Sequence, residues 1–81
     1  MGVMGSMGIM GTNRTPVESS NIRAIGFDPQ SNRLEVEFKN GGVYAYKDVP
    51  TTVHEGLMAA DSKGRYLAAV IKPSYACEKI S

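Results

Sequence analysis

Ser62-Lys63-Gly64-Arg65-Tyr66 gathers more chemistry than any other stretch of this 81-residue chain. Serine is a residue type that caps a helix, its hydroxyl accepting from an amide of the first turn. The free amides and the dipole at such an end favour an anion. Gly64 removes a side chain where a ligand would approach the backbone, Lys63 and Arg65 add cations, and Tyr66 adds a ring. From Ser62 to Lys72 there are three basic residues and no acidic one. This is the make-up of a phosphate cradle. The same residues also describe an ordinary capped helix start with solvated charges.

Other candidate chemistry is sparse. The single histidine, His54, has no nucleophile at a motif spacing and reads as a half-buried or exposed polar residue beside Glu55. The single cysteine, Cys77, has no Cys-x-x-Cys partner and reads as an incidental thiol. One cysteine excludes an internal disulfide framework. One histidine with one cysteine does not make a common zinc site, so no metal or cofactor is expected. Glu35 and Glu37 share a strand face, where such pairs are usually solvated. There is no P-loop, Gly-x-Ser-x-Gly or His-Glu-x-x-His sequence. The reading is of a protein that is not an enzyme.

The elements that must position these residues are legible from periodicity. Ile22 to Phe27, apolar on both faces, is a first strand. Asp28-Pro29-Gln30-Ser31-Asn32 is a turn cluster. Leu34, Val36 and Phe38 alternate with Glu35, Glu37 and Lys39, the period of a half-buried strand with one wet face. Asn40-Gly41-Gly42 signals a hairpin, and Val43 to Lys47 is a third strand. A two-residue Asn40-Gly41 loop pairs Phe38 with Val43 and turns Tyr44 and Tyr46 outward. A three-residue Lys39-Asn40-Gly41 loop pairs Val36 with Tyr44 and puts both rings on the core face. The second is favoured, because outward Val43 and Ala45 leave little apolar surface exposed, and Gly41 suits the left-handed position.

Val49-Pro50 ends the sheet and opens a helix with proline in its first turn. Thr52 and Glu55 have capping-box spacing. Val53, Leu57 and Met58 give this helix its apolar face. A second helix after Asp61-Ser62 carries Tyr66, Leu67, Val70 and Ile71 as a stripe, and Pro73 stops it. Tyr75 to Ile80 is either a short closing strand or an extended tail. The fold class is α+β: a three-stranded antiparallel meander with two short C-terminal helices packed on one face.

Residues 1–11 repeat methionine and glycine with period three, too short and too poor in proline for a collagen triple helix. Met1-Gly2 with Ser6 matches the short myristoylation pattern, but a flexible leader or oligomer-contact arm fits the segment better. Residues 1–16 therefore read as leader and linker, and 17–81 as the domain. No signal-peptide pattern or membrane-spanning run is visible, so a cytoplasmic protein is expected. Arg14 is the one charge in the leader. Residues 17–81 hold the other eight basic and all eight acidic side chains. A neutral domain has no long-range pull on polyanions, so any nucleic-acid binding must come from a local patch.

Several segments in order resemble the KTSC domain family: Val17-Glu18-Ser19-Ser20-Asn21-Ile22, Leu34-Glu35-Val36-Glu37-Phe38, Asn40-Gly41, Tyr44-Ala45-Tyr46, Val49-Pro50 and Ser62-Lys63-Gly64-Arg65-Tyr66. The resemblance spans roughly residues 17–76. That family takes its name from the carboxyl terminus of some lysyl-tRNA synthetases and includes single-domain bacterial proteins, with phage examples expected. The resemblance implies RNA binding as a conjecture. It maps the family's Tyr-x-Tyr onto Tyr44 and Tyr46, and its basic segment onto Ser62 through Tyr66. After Tyr66 the family pattern continues with Phe-Asn and further basic residues. Here Leu67-Ala68-Ala69-Val70 intervenes and only Ile71-Lys72 is kept, which weakens the case for a long polyanion and leaves room for a smaller ligand or a protein contact.

The leading expectation is a binding module for a phosphate-bearing ligand, RNA first. Lys63, Arg65 and Lys72 contact phosphates, and Tyr44, Tyr46 or Tyr66 stacks a base. The alternatives are a protein-interaction or self-assembling module, with alanines on the outer helix face, and a small-nucleotide sequestering protein.

Overall fold

The computed structural model describes residues 14–81; the Met/Gly repeat lies outside them. The strands are β1 (Arg14–Pro16), β2 (Ile22–Asp28), β3 (Arg33–Phe38), β4 (Val43–Tyr46) and β5 (Cys77–Lys79). Between β4 and β5 come helix α1 (Thr51–Ala59), a short helix α2 (Lys63–Tyr66) and a π-helical turn over Leu67–Ile71. The fold is α+β. The sheet has five strands in the order β1-β2-β3-β4-β5, and every neighbouring pair is antiparallel.

The expected central meander is present as β2, β3 and β4, but three strands is too few. Arg14–Pro16, which composition assigns to a linker, pairs with Gly26, Ile25 and Ala24 as an edge strand. Proline is tolerated there because an edge has an unpaired side. Cys77–Lys79 closes the other edge by pairing with Tyr46, Ala45 and Tyr44, resolving the choice left open for the C-terminal segment.

The β3–β4 hairpin has the three-residue loop. The Phe38 amide donates to the Gly42 carbonyl at 2.8 Å, and Gly41 N–H donates to the Phe38 carbonyl at 2.9 Å. Gly41 has φ +101°, a conformation that a side chain disfavours. The register follows: Val36 opposes Tyr44 and Leu34 opposes Tyr46, so both rings share the core face. In β2 the register slips between Ile22 and Ala24. An extra residue there keeps Ile22 and Ile25 in one core although they are three apart.

The core joins that face of the sheet to the helical layer. Ile22, Ile25, Leu34, Val36 and Tyr46 meet Val49, Leu57, Leu67 and Ile71, all essentially without exposure. Helix α1 begins after Pro50, whose carbonyl accepts from Val53 and His54 at 3.0 and 3.2 Å. The Thr52/Glu55 capping box does not form: Pro50 occupies the cap position, Thr52 already lies within the helix, and no side chain caps it. The apolar stripe of the second helical segment also differs from a regular 3.6-residue pattern. Lys72 N–H reaches back five residues to the Leu67 carbonyl at 2.8 Å, the π-type bond. The widened turn keeps Leu67 and Ile71 buried and leaves Val70 37% exposed.

Candidate functional site

Beside the hairpin and the end of the π-turn lies a cleft of about 670 Å³. Its aromatic wall comes from the strands flanking the Lys39-Asn40-Gly41 loop. Phe38 and Tyr44, both half-buried, meet edge to face with centroids 5.7 Å apart and planes at 78°. Tyr46 forms the deeper part and is 2% exposed. Cys77 opposes it across the β4–β5 ladder, an exposed thiol within reach of its hydroxyl. Burial, aided by Cys77 and Tyr44, pushes the Tyr46 hydroxyl up to about 12, so it remains a neutral phenol through the ordinary pH range.

The polar wall is built from Ser20, Asn21, Lys39, Asn40 and Lys72. The Lys39 amide donates to the Asn21 carbonyl at 2.9 Å, which binds the approach to β2 against the hairpin. Two carboxamides on this wall have fixed orientations. Asn40 Oδ1 accepts from the Gly42 amide at 2.9 Å. Asn21 Oδ1 accepts from the Ser19 hydroxyl at 3.1 Å, while Ser19 Oγ accepts from the amides of Asn21 and Ile22 at 3.3 and 3.2 Å. None of the eight acidic residues lines the cleft.

Of the residues singled out in the sequence, the structure brings Tyr44, Tyr46 and Lys72 together in this cleft. Ser62, Lys63, Gly64, Arg65 and Tyr66 stand outside its lining. Ser62 caps α2, accepting from the Arg65 amide at 3.4 Å. Lys63 Nζ donates to the Ala60 carbonyl at 3.1 Å. The space that Gly64 leaves is filled from within: a Cβ there would lie 2.6 Å from Asn21 Oδ1. The Tyr66 ring packs over Gly56 of α1. Arg65 is exposed, with no carboxylate partner among the described residues.

Sequence reasoning missed Ser20, Asn21, Phe38, Lys39, Asn40 and Cys77. Phe38 and the loop residues follow from the three-residue hairpin once its register is accepted. Cys77 follows from the closing-strand reading. The approach of Asn21 and Lys72 is a long-range packing result with no local signal.

The other sheet face holds the carboxylates. Glu35 is 2% exposed, contrary to the solvated pair expected from the alternation. Arg14 Nη1 lies 2.6 Å from Glu35 Oε1, and Arg33 Nε 3.0 Å from Glu35 Oε2. Arg14 and Arg23 also reach Glu37, at 3.5 and 3.6 Å, and Lys47 reaches Glu78 at 3.3 Å. Beneath them the small residues Ala24, Gly26 and Ala45 are buried.

His54 is half-buried and stacks on Phe27, centroids 4.6 Å apart. Burial lowers its pKa, partly opposed by Glu55. Among the described residues no three His, Cys, Asp or Glu side chains gather to hold a metal, and no helix is long and apolar enough to cross a membrane.

The architecture is thus a small antiparallel sheet whose one covered face ends in a cationic, aromatic-walled cleft. The family model for the KTSC domain matches residues 18–75, and the chain belongs to that family. The crystal structure of a KTSC domain protein from Yersinia pestis superposes with a TM-score of 0.83 at 44% identity, covering 88% of this chain and 100% of that one. An uncharacterized protein of Stutzerimonas stutzeri is 44% identical over 62 residues, 76% of this chain and 87% of its own. A lysine–tRNA ligase of Nostoc is 41% identical over 64 residues, 79% of this chain but 11% of the ligase.

Proposed function

We propose that this domain is a non-catalytic binding module for a phosphate-bearing ligand, RNA first, held in the cleft. The observation that carries the reading is the sorting of charge by the sheet. Arg14, Arg23, Arg33 and Lys47 are engaged with Glu35, Glu37 and Glu78. Lys39 and Lys72, free of such partners among the described residues, line a cleft without acids. Lys79 opposes Tyr44 in the β4–β5 ladder and so stands on the same face. Arg65, which is exposed, follows Gly64, the residue that packs on Asn21 of the cleft wall.

A neutral domain with such a patch binds a short stretch of backbone while its aromatic wall takes a base. That the matching segment of the Nostoc protein belongs to a ligase acting on tRNA supports RNA over other phosphates. The volume also admits a single nucleotide, which makes nucleotide sequestration the second reading.

The test is fluorescence anisotropy of a labelled single-stranded RNA octamer against salt. Each neutralised phosphate adds about −0.7 to the logarithmic slope, so three contacts lower affinity about twentyfold between roughly 50 and 200 mM salt. Lys72→Ala should reduce the slope by about 0.7. No binding at low salt, or binding indifferent to salt and to Lys72→Ala, removes the proposal. A thermal shift with mononucleotides and none with RNA selects the second reading.

A further inference from the structure

The basic segment stands outside the cleft, yet one of its residues seats the cleft wall. Asn21 lines the cleft, and its carboxamide lies over the bare Cα of Gly64. A Cβ at that position would meet Asn21 Oδ1 at 2.6 Å, and Cγ and Nδ2 each at 3.3 Å. Non-bonded heavy atoms rest comfortably at about 3.5–4.0 Å, so the whole carboxamide occupies room that only glycine leaves. The helix side of this contact is firm. Ser62 caps α2, the Tyr66 ring packs over Gly56 and Leu67 is 1% exposed in the core.

The Asn21 backbone is pinned as well. Its N–H donates to Ser19 Oγ at 3.3 Å, and its carbonyl accepts from the Lys39 amide at 2.9 Å. The carboxamide itself is held by the Ser19 hydroxyl, which donates to Oδ1 at 3.1 Å. A methyl group added to Gly64 therefore has two outlets. It turns the carboxamide off its seat and breaks the Ser19 bond, or it shifts the Asn21 backbone and carries Lys39 with it. Asn21 and Lys39 both line the cleft, so either displacement is delivered to the wall that receives the ligand. We propose that Gly64 is a positioning residue for the cleft, acting through Asn21 and not by touching the ligand. This rests on the RNA-binding reading above and deepens it, because it gives the Ser62–Tyr66 segment a part in binding that needs no contact of its own.

The experiment measures the labelled RNA octamer on the wild-type chain, Gly64→Ala, Asn21→Ala and the double variant, with melting temperatures confirming that each folds. Gly64→Ala should weaken binding about three- to tenfold, the worth of one displaced hydrogen-bonding group. The salt slope should stay as it is, since it counts neutralised phosphates and the lysines remain. In the Asn21→Ala background the same substitution has nothing to push and should leave affinity unchanged. An equal loss in both backgrounds overturns the inference, because Gly64 then meets the ligand directly. Unchanged affinity with Asn21 present also overturns it. Both of those results leave RNA binding in place. If the wild type binds no RNA, that reading falls by itself, and nitrogen-15 spectra of the ligand-free proteins decide the positioning claim. Gly64→Ala should move the Lys39 amide resonance when Asn21 is present and leave it unmoved when Asn21 is alanine. A Lys39 resonance indifferent to Gly64→Ala overturns the inference as well.

Discussion

Gly56→Ala should destabilise this protein, although alanine in a helix interior ordinarily gains about 0.8–1 kcal/mol over glycine. Gly56 sits inside α1 and faces the ring of Tyr66. A Cβ there would lie 2.9 Å from Tyr66 Cζ and closer still to the hydroxyl. The comfortable separation of carbon atoms is about 3.5–4.0 Å, so the ring must retreat by roughly an ångström. Overpacking of this kind costs about 1–3 kcal/mol. Set against the propensity gain, the net loss is about 1 kcal/mol, or about 4–8 °C of melting temperature for a domain of this size. In a Tyr66→Leu background the obstructing atoms are gone, and Gly56→Ala should turn stabilising by up to about 1 kcal/mol. Thermal and urea denaturation of the four proteins forms a double-mutant cycle with an expected coupling of about 2 kcal/mol. Equal stabilisation in both backgrounds would refute the packing argument and return the Tyr66 ring to the list of groups free to meet a ligand.

Other consequences are as direct. Glu35→Ala strands two guanidiniums over a small-residue sheet face and should cost about 2–3 kcal/mol in urea denaturation, since both arginines remain partly solvated. Gly41→Ala meets no neighbouring atom within 4 Å, so its cost is the backbone's alone, about 1–2 kcal/mol at φ +101°. Tyr46 is held protonated up to about 12 against 10 for the free side chain. The folded state therefore keeps a proton that the unfolded chain loses, and stability is undiminished below pH 10 and falls between pH 10 and 12. Ultraviolet titration should show the Tyr46 phenol ionising late, and Cys77→Ala should move it part of the way back.

The meander was readable because two independent constraints agreed. Alternation at Leu34, Val36 and Phe38 set the face, and a glycine able to take positive φ at Gly41 set the loop length. With both in hand, Tyr44 and Tyr46 could point only inward. The edge strands were harder. Three-residue strands show no periodicity, and Arg14–Pro16 resembles a linker because its contribution is one guanidinium delivered to Glu35. That same long-range pairing is why a glutamate on an apparently wet face is buried. The basic segment at Ser62 was correctly read as a helix start. Its glycine and tyrosine were ambiguous, since a missing side chain and a ring serve packing as well as binding. Asn21 and Gly56 decide that ambiguity, and neither is a sequence neighbour.

The order of the strands has a kinetic meaning. Strands β1 to β3 each pair with the next along the chain, so those contacts close over short loops and form cheaply. β5 is the exception, because the entire helical layer must be laid down before Cys77–Lys79 can reach β4. The last rung to dock should also be the first to leave, and its amides should exchange with deuterium well ahead of those in β2 and β3. Because Cys77 belongs to that rung and also borders the cleft, an occupant pressing on this wall would latch the terminal strand in place, and slowed exchange there would report occupancy without any label on the ligand.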